Sequence, residues 1–208
     1  MSLTRKALTI AALLLPVAAC DTPHAPMGPT SSSPSAIHKD GILESLLHFL
    51  FPASNAPALV ADTVRFYAVV GQDRHDSLQY HAAAGHSDSV RFAYFDVPAG
   101  ALVTDQYGDT LAPGDSLQIT MYLADSSRMM VGFQPSGLLF STAHQPTLVL
   151  SYHWASPLSL PLMQILLGMY YSDSPGGLWF LAPNSSVNIF TQTVSGSVKG
   201  FSVYASSY

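Results

Sequence analysis

Over residues 116–123 apolar and polar side chains alternate, with Leu117, Ile119, Met121 and Leu123 on one face and Ser116, Gln118, Thr120 and Tyr122 on the other. A strand with one buried face needs this period of two. Residues 64–70, 89–97, 147–154, 178–181, 187–194 and 198–205 are further strand candidates, rich in the Val, Tyr, Phe and Thr that suit a pleated surface. Between them, Ala112-Pro113-Gly114-Asp115 and Ser174-Pro175-Gly176-Gly177 carry turn chemistry. Proline presets φ there and glycine supplies a positive one. Many short strands punctuated in this way predict an all-β fold, an antiparallel β-sandwich over residues 62–208.

Two segments depart from that period. Ile42, Leu43, Leu46, Leu47 and Leu50 recur at helical spacing, after Asp40-Gly41 and before Pro52, and predict one short amphipathic helix. Phe49 and Phe51 widen its apolar face. Such a segment lies on a membrane, packs on the domain as a helix or forms a loose linker, and this one lacks the basic face typical of membrane-surface helices. Residues 156–168 hold Leu158, Leu160, Leu162, Ile165, Leu166 and Leu167 broken by Pro157 and Pro161. That stretch reads as an apolar insertion with one or two helical turns, too short to span a bilayer.

The N-terminus has three parts: a basic start with Arg5 and Lys6, an apolar run over residues 7–17, and the small residues Ala18 and Ala19 before Cys20. This is the layout of an export signal, and its apolar run is too short for a transmembrane helix. Val17-Ala18-Ala19-Cys20 resembles the bacterial lipobox. The resemblance implies removal of residues 1–19, acylation of Cys20 and retention on a membrane outside the cytoplasm, in the periplasm or at the cell surface. Acyl chains suffice physically, at about 0.8 kcal/mol per buried methylene. Residues 21–35 contain Pro23, Pro26, Pro29 and Pro34 among Thr, Ser and Gly, a semi-extended tether that builds no core. Residues 20–61 thus read as anchor, tether and short helix.

Composition narrows the classes further. The 208 residues are 48% hydrophobic and 10% charged, too apolar for disorder and enough for one core. The net charge of -5 becomes more negative once the signal takes Arg5 and Lys6 with it, which argues against a nucleic-acid partner. Cys20 is the one cysteine, so no disulfide staples the fold and stability comes from apolar burial.

Three stretches resemble the ZU-five domain, a β-sandwich module of ankyrins and netrin receptors that also occurs in bacterial envelope proteins. The first is Val97-Pro98-Ala99-Gly100-Ala101-Leu102, where Pro98 and Gly100 suit a tight corner that delivers Leu102 to the core, ahead of the strand at 116–123. The second is Phe133-Gln134-Pro135-Ser136-Gly137-Leu138-Leu139-Phe140, with Pro135, Gly137 and Phe140 at the family's spacing ahead of an apolar strand. The third is the ending Lys199-Gly200-Phe201-Ser202-Val203-Tyr204-Ala205. Together they cover residues 64–208. Some relatives cleave themselves between the Phe and Ser of the closing motif, with a preceding histidine as base. Here that position is Gly200, which has no proton acceptor, so cleavage at Phe201–Ser202 is not expected. The segment 141–145 is longer than the family's spacing and is expected to bulge.

Other candidate chemistry is weaker. His75, Asp76, His81, His86 and Asp88 form the one histidine cluster; on a hairpin tip, His75, His81, His86 and Asp88 would suit zinc or copper. Their spacing matches no ligand motif, and exposed turn histidines are the commoner outcome. Asp105, Asp109 and Asp115 fit either calcium or turn caps. Ser136 lies outside any nucleophile elbow, and the one glutamate, Glu44, lies outside the β region. Tyr170, Tyr171, Trp179 and Phe180 offer stacking for a sugar or a partner, although strand alternation puts at least two of them in the core. The sequence therefore predicts a membrane-tethered, non-catalytic sandwich that meets another envelope protein or acts as a spacer, with no cofactor beyond the lipid on Cys20. The alternatives are a metal- or glycan-binding module and, last, an autoproteolytic domain.

Overall fold

The computed structural model describes residues 41–82, 90–160, 164–174 and 177–208. The signal, Cys20, the proline-rich tether, His86, Asp88, Pro175 and Gly176 lie outside the described residues. Two antiparallel sheets face each other, the sandwich expected from the alternating pattern. In chain order the strands are β1 (Ile42–Leu43), β2 (Thr63–Val69), β3 (Arg74–Gln79), β4 (Arg91–Val97), β5 (Ser116–Asp125) and β6 (Met130–Gln134). They continue as β7 (Thr147–Ser151), β8 (Gly168–Ser172), β9 (Leu178–Leu181), β10 (Ser186–Asn188), β11 (Thr193–Ser197) and β12 (Val203–Ser207). The larger sheet runs β1-β9-β8-β12-β6-β5-β2 and the smaller β10-β11-β7-β4-β3.

The inward faces follow the period of two. Ile119 and Met121 of β5 are fully buried, together with Val131 and Phe133 of β6 and Tyr204 of β12. Opposite them lie Leu78, Phe95, Leu148, Leu150 and Val194. An aromatic cluster ties the two sheets: Phe95 of β4 sits 4.6 Å from Phe133 of β6, which stacks on Phe201 at 5.3 Å. Such ring pairs contribute beyond their buried area through the attraction between their quadrupoles.

The helix expected over residues 42–51 does not form. Ile42 and Leu43 pair with Trp179 and Leu178 of β9, Glu44–Leu46 makes a single 3-10 turn, and Phe49 bridges Ser207. Leu47 and Phe49 cover Trp179, Met130 and Ala205 on the outer face of the larger sheet, while Leu50 turns into the main core. The spacing of these leucines fits a helix, but a run this short also fits an extended segment, and free sheet surface decided between them. Arg128 pairs with Glu44 and lies over the Phe49 ring at 5.7 Å, which fastens the segment. Residues 41–61, assigned by sequence to the tether and helix, thus belong to the sandwich.

Two predicted strands are divided. Residues 187–194 form the β10–β11 hairpin, because the Asn188 side chain accepts hydrogen bonds from the backbone N–H groups of Phe190 and Thr191 and turns the chain. Residues 198–205 contain a crossover: β11 ends in the smaller sheet and β12 begins in the larger one. The insertion after β7 contains one 3-10 turn, Gln164–Leu166, and its Leu158 is almost wholly exposed. No helix among the described residues is long and apolar enough to cross a membrane.

Buried phenols make the fold sensitive to alkali. Tyr80 packs edge-on to Phe92, and burial pushes its pKa up to about 12; burial also raises that of Tyr204, whose hydroxyl donates to the Gly200 carbonyl. The unfolded chain ionises near pH 10 while the native phenols stay neutral. The stability they hold is complete below pH 10 and falls by about 1.4 kcal/mol per pH unit per tyrosine above it. Denaturant titrations at pH 9 and pH 11 should show a drop that Tyr80→Phe reduces; an equal drop in that variant would contradict the assignment.

Candidate functional site

The three motif stretches, far apart in sequence, meet at one end of the sandwich. The Ala101 N–H donates to the Pro98 carbonyl and closes the first corner, burying Ala101 and Leu102. Leu102 then bridges Phe140, Leu139 bridges Gly200, and the Phe140 and Phe201 rings meet edge to face at 5.2 Å. Gly100 is favoured for space rather than for a positive φ, since a Cβ there would come within 2.8 Å of the exposed His144 ring from the 141–145 segment and make it swing aside. Gly137 meets both demands: its φ is +87° and a Cβ would come within 3.2 Å of the Gln106 carbonyl.

That close approach sets the Gln106–Tyr107 loop beside the turn at Pro135 and Ser136, and together they wall a groove of about 860 Å³ on the larger sheet. Its floor is the outward face of β5, β6 and β12, including Gln118, Thr120, Tyr122 and Gln134. The N-terminal segment covers the part of the same face that holds Met130, Ala205 and Trp179. This division leaves Tyr122 half-buried in the groove floor. Its ring lies against Gly132, its cross-strand partner, where a Cβ would approach within 2.5 Å of the ring.

The far wall carries Ser172, Asp173, Ser174 and Ser202. The Ser202 hydroxyl donates to Asp173 Oδ1 at 2.5 Å. This carboxylate is the only charged group among the described residues lining the groove. The bond fixes the orientation of the Ser202 hydroxyl.

The Tyr107 loop is stiffened from below. Asp105 accepts hydrogen bonds from the backbone N–H groups of Tyr107 and Asp109, and Thr104 bridges Thr110. Asp115 likewise accepts from the Ala112 N–H. These aspartates cap turns. Tyr107 itself is 80% exposed, held at the groove mouth with no packing role of its own.

The other sequence candidates scatter. His75 lies opposite Asp96 on β3, at the end of the β3–β4 hairpin away from its connecting loop, and stacks beside Tyr94 at 5.8 Å. His81 follows the other end of β3, where its N–H donates to the Ala58 carbonyl. The two are six positions apart along extended backbone, roughly 20 Å, beyond any shared ion. His86 and Asp88 lie outside the described residues. Trp179 is buried under Phe49, and half-buried Tyr171 stacks on Tyr204, so both rings are drawn into packing.

No family model, curated protein or solved structure matches the chain.

Sequence reasoning missed Asp173 and Tyr107 as groove residues. The alternation did place Tyr122 and Gln118 on an outward face, and a tyrosine on the polar side of a strand was the available signal.

Proposed function

We propose that the chain is a lipid-anchored protein of the bacterial envelope whose sandwich is a non-catalytic module that docks with another envelope protein. The lipobox at Cys20 and the following proline-rich tether support the anchoring, and the three ZU-five-like stretches meeting at one end of the fold support the kinship with interaction modules. One observation carries the docking. Between Met129 and Val198 the sequence contains a single Asp, Glu, Lys or Arg, Asp173, and several large apolar side chains in this span are uncovered.

Two of the elements that carry them are linked. The Tyr152 hydroxyl reaches both the Gln164 side chain and the Asn188 carbonyl, linking the turn that carries Ile165 and Leu166 to the hairpin that carries Ile189 and Phe190. Phe190 is 92% exposed at the hairpin tip. Uncovered apolar side chains of this kind cost free energy in water unless a partner covers them, and the scarcity of charged residues in this span lowers the desolvation penalty of docking.

A photo-crosslinking residue placed at Phe190 in intact cells should give a discrete adduct with one envelope protein. Ile165→Ser with Leu166→Ser should abolish that adduct while changing stability by less than about 0.5 kcal/mol, as surface substitutions do. Crosslinking no stronger than from exposed Arg65 on the opposite edge strand would contradict the reading.

A further inference from the structure

We infer that the groove on the larger sheet is a binding site for a neutral glycan, a function separate from the apolar docking surface. Three features of the lining point to that ligand class.

The first is charge. Among the described residues Asp173 is the only ionised group in the groove, with no lysine or arginine to match a phosphate, sulfate or uronic acid. An acidic ligand would meet a carboxylate and lose its hydration without compensation. A neutral ligand would not.

The second is hydrogen-bonding capacity. Gln118, Thr120, Gln134, Ser136, Ser202 and Asp173 supply amides, hydroxyls and one carboxylate around an open trough. Amides and hydroxyls both donate and accept, as a sugar hydroxyl does, so a polyhydroxylated chain finds partners on both walls. The Ser202–Asp173 bond holds those two groups in a fixed geometry, which lowers the entropy cost of engaging a ligand.

The third is aromatic. Tyr122 rests one face on Gly132 and lines the groove with the remainder, and Tyr107 stands at the mouth on a loop pinned by Asp105. The C–H faces of a pyranose are apolar and pack on such rings while the equatorial hydroxyls reach the polar walls. A solitary carboxylate lacks the partner that glycoside hydrolysis requires, so the groove would hold the glycan without cutting it.

The test uses the purified mature chain on an array of neutral and acidic glycans, followed by calorimetric titration with chitohexaose, cellohexaose and maltohexaose as neutral probes and a polygalacturonate oligomer as the acidic one. The expected result is binding of at least one neutral oligosaccharide, weakened tenfold or more by Tyr107→Ala and by Asp173→Asn, with no binding of the acidic probe. Both positions are exposed, and unchanged melting temperatures would verify that the variants fold. Absence of any neutral glycan bound on the array, affinity unchanged in both variants, or preference for the acidic probe would each overturn the inference. Crosslinking from Phe190 is read independently, so a failure here leaves the docking reading standing, and the reverse also holds.

Discussion

Replacing Phe95 by alanine is expected to lower the unfolding free energy by about 3–5 kcal/mol, the cost of a large cavity in a core that cannot collapse to fill it. Phe95 is fully buried on β4, between β3 and β7, and touches rings from four other segments. Phe66 and Phe133 come from the larger sheet, and Phe140 and Phe201 from the converging motif stretches. With no disulfide to limit the unfolded chain, this contact between the sheets has no covalent substitute. For a domain of this size each kcal/mol shifts the melting temperature by about 2–4 °C, so calorimetry should record a fall on the order of 10 °C. A loss below about 1 kcal/mol would mean that the sandwich is not organised around this ring. Phe190→Ala, on the surface, provides the contrast and should change little.

The second large effect concerns location. Cys20→Ser removes the thiol that would carry the acyl chains, and the proposed anchor loses the whole of its hydrophobic attachment rather than a part of it. Each buried methylene contributes about 0.8 kcal/mol, so loss of even one long chain outweighs any single surface contact. The parent should sediment with membranes after a high-salt wash, and the Cys20→Ser protein should move into the soluble fraction. Residual binding through the exposed apolar surface would be weaker and would fall with Ile165→Ser and Leu166→Ser, which separates the two contributions.

The sandwich was legible because its central strands are half-buried and their alternation is a direct consequence of one wet and one dry face. β5 is the clearest example, with Ile119 and Met121 inward and Gln118 and Thr120 outward. The segment at 42–51 was not legible, because its leucines satisfy a helical stripe and an extended edge equally well. The choice depended on bare surface around Trp179 and Ala205 that no local pattern reveals. β6 was missed for a related reason: Met130, Val131, Gly132 and Phe133 are all buried, the first and third on the face covered or approached from outside, so no alternation survives. Turn residues such as Pro98 and Gly137 are legible in sequence because turn chemistry is local, and the sequence singled out Ser202 only as part of the closing stretch. Its partner Asp173 lies on a different loop and reaches Ser202 only through the pairing of β8 with β12, a long-range contact that spacing does not encode. The histidine cluster shows the converse. His75 and His81 are neighbours in sequence, yet the extended backbone between them carries them to opposite ends of a strand.

The most direct measurement is the intact mass of the chain recovered from its native membranes. The expected species is a polypeptide that begins at Cys20, carries the added mass of acyl chains on that residue, and continues uncut through Phe201–Ser202 to Tyr208. A chain that retains residues 1–19, or one that begins at Cys20 without lipid, would contradict it.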